Sequence, residues 1–142
     1  MIKRSSSIFV LLVTLIAGRA VAGPPIVCHA IDIGSASSLP WSTAASWNGA
    51  LSSYDVSKLS NDTLALLTPS TPAEVRMETL RRAAIYAMRS PAAGDDLARR
   101  LFARRSWFEA GYFIEALREA GSMVHRDAGP YVTAMLAGRA TP

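Results

Sequence analysis

The chain has 142 residues, half of them apolar, with a single cysteine, 15 basic and 11 acidic side chains. This length suits one domain with a core of its own, and a lone cysteine excludes both an internal disulfide framework and the C-x-x-C-H attachment of a c-type haem. The formal charge of +4 includes Lys3, Arg4 and Arg19 of an expected leader; the near-neutral remainder gives no electrostatic footprint for nucleic acid.

Residues 1–22 read as a cleaved signal peptide. Lys3 and Arg4 form the positive end, Ile8 to Ala17 the apolar stretch, and Ala20-Val21-Ala22 an A-x-A site ahead of Gly23. A permanent membrane helix needs about 20 apolar residues, so a retained anchor is the weaker reading. The expectation is an exported protein, periplasmic or secreted, with no permanent membrane span after cleavage. No cysteine stands near residues 19–23 to carry a lipoprotein anchor.

Residues 23–53 lack a helical period. Gly23-Pro24-Pro25, the run Ile26-Val27-Cys28, Ile31 and Ile33 around Asp32, and a Ser-rich stretch leading to Pro40-Trp41 describe an extended arm. Trp41 and Trp47 can each bury about 150–250 Å², so the arm is expected to pack over helices rather than to float.

Residues 54–142 form the expected helical domain. Val56, Leu59, Thr63 and Leu67, widened by Leu64 and Leu66, predict a first helix over about 55–67. Thr71, Pro72 and Glu74 have the spacing of cap, first helical position and capping-box acid, and predict a second helix from Pro72 to about Arg89. Its expected inner face is Ala73, Met77, Leu80, Ala84 and Met88, flanked by Val75 and Ile85, with Glu78 reaching Arg81 or Arg82 on the solvent side. Ser90-Pro91 opens a third helix ending near Arg105, with Leu97 over Leu101, Ala98 over Phe102, and the pairs Asp95–Arg99 and Asp96–Arg100. Ser106 and Glu109 offer a second capping box for a fourth helix that stops near Gly121, and a last short helix is expected over about 128–137.

Short connections between these helices imply antiparallel neighbours and an all-α fold: a small bundle or stacked helical hairpins with an extended N-terminal arm. The stretch Thr71-Pro72-Ala73-Glu74-Val75-Arg76, followed by Leu80 and Ala83-Ala84, resembles the opening of a HEAT or armadillo-type repeat helix. Ala110-Gly111-Tyr112 before Glu115-Ala116-Leu117 resembles a tetratricopeptide helix. Each likeness covers about twenty residues; no second copy follows at a fixed period, and Gly111 and Tyr112 are adjacent where the tetratricopeptide pattern spaces them by three. What the resemblance implies is a scaffold that binds another protein or a peptide; it transfers no binding residue.

Three constellations compete as sites. Cys28, His29 and Asp32 carry ligand types for zinc or copper, with His125 as the fourth ligand, or one of Asp55, Asp62 and Asp127; the plainer reading buries Cys28 as a small hydrophobe, and a disulfide to another chain is the third reading. A Cys28–His125 catalytic pair has no supporting motif, and the acids Asp55, Asp62, Glu109, Glu115 and Glu119 form no paired-carboxylate signature. G-x-S-x-G, phosphate-loop, H-E-x-x-H and dinucleotide patterns are absent. The third constellation is Arg99, Arg100, Arg104 and Arg105 beside Trp107, Phe108 and Tyr112, able to grip an acidic partner or an anionic surface. Against it, Asp95 and Asp96 weaken the field, and Trp107-Phe108 reads more readily as core. The leading expectation is a non-catalytic scaffold or adaptor that contacts another envelope or secreted protein through Arg99 to Tyr112 and needs no cofactor. The competing one is a small metal-binding or thiol-active protein centred on Cys28 and His29.

Overall fold

The computed structural model describes residues 26–42 and 47–123. The expected leader and last helix, and with them His125 and Asp127, lie outside the described residues. A 3-10 turn (Val56–Lys58) leads into α1 (Leu59–Leu66), followed by α2 (Ala73–Ala87), α3 (Pro91–Ala103) and α4 (Trp107–Met123), with no strand among the described residues. The result is a small all-α bundle. The most extensive packing is α2 on α4, with α1 lying chiefly on α3. Ala83, Ala84 and Ala87 of α2 and Ala110, Ala116 and Ala120 of α4 are sealed from solvent, which lets these two backbones approach closely. Leu59, Leu80, Tyr86, Leu97, Leu101, Phe113 and Leu117 fill the remaining core.

The local signals are realised unevenly. Ser90 caps α3 by accepting from the Ala93 N–H (3.3 Å), with Pro91 opening the helix as expected. At α2 no side chain caps the helix, and Pro72 takes the cap position. The Thr71 hydroxyl is instead turned back, donating to the Leu66 carbonyl (2.8 Å) and accepting from the Thr68 N–H (3.0 Å), so it closes the loop after α1. Glu109, expected to answer the Ser106 N–H, pairs with Arg76 (2.9 Å) and ties the start of α4 to the start of α2. Gly121 does not stop α4, which runs on to Met123.

Between α3 and α4 the chain turns through Arg105 in the left-handed region (φ 58°). The Ser106 N–H donates to Leu101 O (3.1 Å) and the Arg105 N–H to Phe102 O (2.8 Å). This bond pair is the Schellman closure, made here without the usual glycine.

The larger correction concerns α2. Sequence spacing puts Glu78, Arg81 and Arg82 toward water, yet Glu78 and Arg81 are fully buried and Arg82 is half-buried. From Glu78 to Ala87 the helix is buried on almost every side, because the arm covers the face that would otherwise be wet. The expected inner face is correspondingly incomplete: Ala73 is exposed, and Met77 and Met88 are only half-buried.

The arm packs as its tryptophans required. Val27 and Leu39 enter the common core, and Trp41 and Trp47 lie partly buried against it. Gly49 accommodates this course, since a Cβ there would stand 2.4 Å from Trp41 Nε1 and 2.7 Å from Ser42 Oγ.

Candidate functional site

The basic–aromatic corner lies where α3 hands over to α4. Trp107 and Phe108 are each 63% exposed, so the expectation that they form core is overturned. The inward positions of α4 go to Ala110 and Phe113, and in its first turn Glu109 faces Arg76 of α2, which leaves Trp107 and Phe108 on the outer side. Phe102 and Trp107 have ring centroids 5.7 Å apart, and Phe108 stacks on Tyr112 at 6.4 Å, giving two aromatic pairs at this corner. Leaving Trp107 and Phe108 so exposed forgoes about 1–2 kcal/mol of burial each.

The four arginines of this corner differ in how far they are already engaged. Arg99 pairs with Asp95 and, at 3.6 Å, with Asp96. Arg100 holds Asp96 (3.0 Å) and donates to Asn61 Oδ1 (2.7 Å). Asp96 is itself held below the usual carboxylate range by a hydrogen bond from Ser60, aided by Arg100 and Arg99. These two guanidinium groups therefore stitch α3 internally and to α1. Among the described residues Arg104 reaches the Leu64 carbonyl at 3.4 Å, and Arg105 is exposed on its left-handed turn. The cationic character next to Trp107 comes from these last two residues, while Arg99 and Arg100 are largely neutralised.

At the opposite end of α4, Cys28 is half-buried and its thiol lies 3.8 Å from Met123 Sδ. His29 and Asp32 are exposed, and the Asp32 carboxylate accepts from the Gly34 N–H (2.9 Å) in a local turn. Among the described residues no three His, Cys, Asp or Glu side chains gather around a point that could hold a metal ion. His125 lies outside them.

The expected pairing of Glu78 with Arg81 or Arg82 forms with both, but inside a buried polar network that also holds the arm, which the sequence did not announce. Arg81 donates to both carboxylate oxygens of Glu78 (2.7 and 2.9 Å), and Arg82 donates to the same carboxylate (2.7 Å). Glu78 also accepts from the Ile31 N–H (3.0 Å). Burial alone raises the Glu78 pKa, but the hydrogen bonds from Arg81, Ile31 and Arg82 together outweigh it and leave the carboxyl below its ordinary range. Arg81 also donates to the carbonyls of Val27 (3.0 Å) and Trp47 (2.8 Å), and Arg82 to that of Leu39 (2.9 Å). Both guanidinium groups lie against the Trp41 ring, 5.2 and 5.4 Å from its centroid.

The network extends along α2 and α4. Glu119 accepts from the Val27 N–H (3.2 Å). The Tyr86 hydroxyl donates to Pro40 O and accepts from the Leu51 N–H (3.1 Å). Arg89 donates to the carbonyls of Leu51, Ser52 and Tyr54 (2.9–3.1 Å). The chemistry is positional: charged side chains of the helices hold the main chain of the arm. The signals for it in the sequence are the i,i+3 and i,i+4 spacing of Glu78 with Arg81 and Arg82 and the use of arginine rather than lysine on α2, since a planar fork can satisfy several acceptors at once.

No family model, curated protein or solved structure matches this chain. Its functional reading therefore rests on its own residues.

Proposed function

We propose that the protein is a non-catalytic exported adaptor that docks another envelope or secreted protein through the α3–α4 corner. The observation that carries this reading is the exposure of Trp107 and Phe108 beside Arg104 and Arg105. Exposed Trp with Arg, packed on further aromatic rings, is the composition from which interface hot spots are built. The local likeness to HEAT, armadillo and tetratricopeptide helices points the same way, because such scaffolds act by binding partners.

The test is the native mass of the protein recovered from its own cells without chelator or reductant, followed by single replacements Arg100→Ala, Arg104→Ala and Trp107→Ala. A defined heterocomplex that weakens on Trp107→Ala and Arg104→Ala, with the monomer still folded, supports the reading; unchanged binding in all three sinks it. Arg100→Ala should weaken the complex least, since Arg100 is already paired with Asp96.

One observation favours a second reading, a soft-metal or thiol site at Cys28. A thiolate and a thioether suit copper(I), and the 3.8 Å between Cys28 Sγ and Met123 Sδ matches two ligands of one tetrahedral ion with bonds of about 2.3 Å. A stoichiometric metal ion in the recovered protein, lost on Cys28→Ala with the fold intact, would promote it over the adaptor.

A further inference from the structure

Gly111 is exposed in the middle of α4, and a Cβ placed on it would meet nothing within 4 Å. Glycine inside a helix costs stability relative to alanine, and here neither a positive φ nor a crowding neighbour among the described residues calls for it. The notch it leaves has walls on both sides at helical spacing. Trp107 and Phe108, both exposed, stand one turn before it, and half-buried Ile114 stands one turn after it. Charge along this face is uneven. No carboxylate among the described residues pairs with exposed Arg104 or Arg105, whereas Glu115 and Arg118, beyond the notch, neutralise each other.

We propose that the corner takes an acidic, aliphatic segment of the partner protein, laid along α4 with its main chain against Gly111, its aliphatic side chains on Trp107, Phe108 and Ile114, and its carboxylates on Arg104 and Arg105. This inference rests on the adaptor reading and names the chemistry of the partner. Two observations choose the occupant. The first is charge complementarity: two guanidinium groups without a carboxylate stand at one end of the notch, and such forks receive carboxylates in bidentate fashion. Residues 128–142 of the chain itself contain no Asp or Glu and include Arg139, so they do not supply that charge. The second is the bare backbone at Gly111, which admits another main chain more closely than any side chain there would. An anionic lipid surface meets the arginines and the rings but gains nothing from a gap one residue wide, whereas a peptide segment uses all three.

The probe is a phage-displayed library of random short peptides selected on the immobilised full chain, with the recovered peptides synthesised and titrated by fluorescence anisotropy. They should be rich in Asp or Glu beside Leu, Ile or Val. Their affinity should fall about tenfold or more when Arg104→Glu and Arg105→Glu are combined, and fall as far on Gly111→Leu. The urea midpoint of Gly111→Leu should be no lower than that of the parent, because the added side chain meets open space in the free protein. Binders without the acidic bias, binders indifferent to Gly111→Leu, or no binders at all overturn the proposal. So does binding to phosphatidylglycerol vesicles, or dimerisation of the chain, that Gly111→Leu abolishes, since the notch then belongs to lipid or to a second copy. The same variant separates this proposal from the adaptor reading: a native heterocomplex weakened by Trp107→Ala and Arg104→Ala but untouched by Gly111→Leu leaves the adaptor standing and this occupant wrong.

Discussion

Replacing Arg81 by Ala tests the central claim that buried charge on α2 holds the arm. The substitution leaves the fully buried Glu78 carboxylate with Arg82 and the Ile31 N–H as partners, and removes the charged donor from Val27 O and Trp47 O. Breaking a buried ion pair by deleting one member costs about 3–5 kcal/mol. Each carbonyl left without a donor adds about 1–3 kcal/mol if water cannot reach it, and the contact with Trp41 adds roughly 0.5–2 kcal/mol. These contributions overlap, because a loosened arm lets water in and Arg82 still neutralises Glu78. We expect a net loss of about 4 kcal/mol, a large share of the roughly 5–15 kcal/mol that stabilises an ordinary domain. Urea unfolding followed by circular dichroism gives the loss, and the rate of Cys28 modification by a thiol reagent reports the arm directly. Arg81→Lys should fall between, since it keeps the charge without the fork. A loss below about 1 kcal/mol for Arg81→Ala, with Cys28 no more reactive than before, would refute the reasoning.

Three further outcomes follow from the same geometry. The Glu78 carboxyl is depressed in the folded state, so its stabilisation is complete above its unfolded value of about 4.5 and is lost as pH falls through the folded value; Glu78→Gln should destabilise near neutrality and flatten the acid limb of a plot of urea midpoint against pH. Gly49→Ala brings a methyl within 2.4 Å of Trp41 Nε1 and should cost about 1–3 kcal/mol as an overpacked site, visible as a lower urea midpoint with altered tryptophan fluorescence. Arg105→Gly relieves a side chain held at φ 58° and should raise stability by about 0.5–1 kcal/mol in thermal or urea unfolding, after a few tenths are lost with the charge at the end of α3.

Helix positions were legible because each carries its own local cause. Ser90-Pro91 starts α3 where the sequence places the start, and Leu97, Ala98 and Leu101 face inward at the expected spacing. The arm's packing was legible from Trp41 and Trp47. The burial of Glu78 and Arg81 was not, because their i,i+3 and i,i+4 spacing is the same whether a helix face meets water or meets another segment; only the arm, more than 30 residues away in sequence, decides it. Thr71 failed as a cap for a related reason, since its oxygen accepts from the Thr68 N–H while its hydroxyl donates to Leu66 O, which turns it away from α2. At the candidate corner the residue types were legible. Their exposure was not, because Trp107 and Phe108 alone do not disclose which side of α4 the turn at Arg105 will present.

The way the arm is held has a consequence for which substitutions the chain can absorb. Main-chain atoms are the same for every amino acid apart from the missing N–H of proline, so the exposed positions Ser35, Ala36 and Ser37 should accept almost any residue beside the turn that Asp32 and Gly34 (φ 55°) make. The grip is far less forgiving: Glu78, Arg81 and Arg82 act as one unit, and a change at any of them is felt by the other two. Tolerance to mutation is thus divided within a single contact. A library randomised over residues 35–37 should recover many folded members, while one randomised over 78, 81 and 82 should return few beyond the parent.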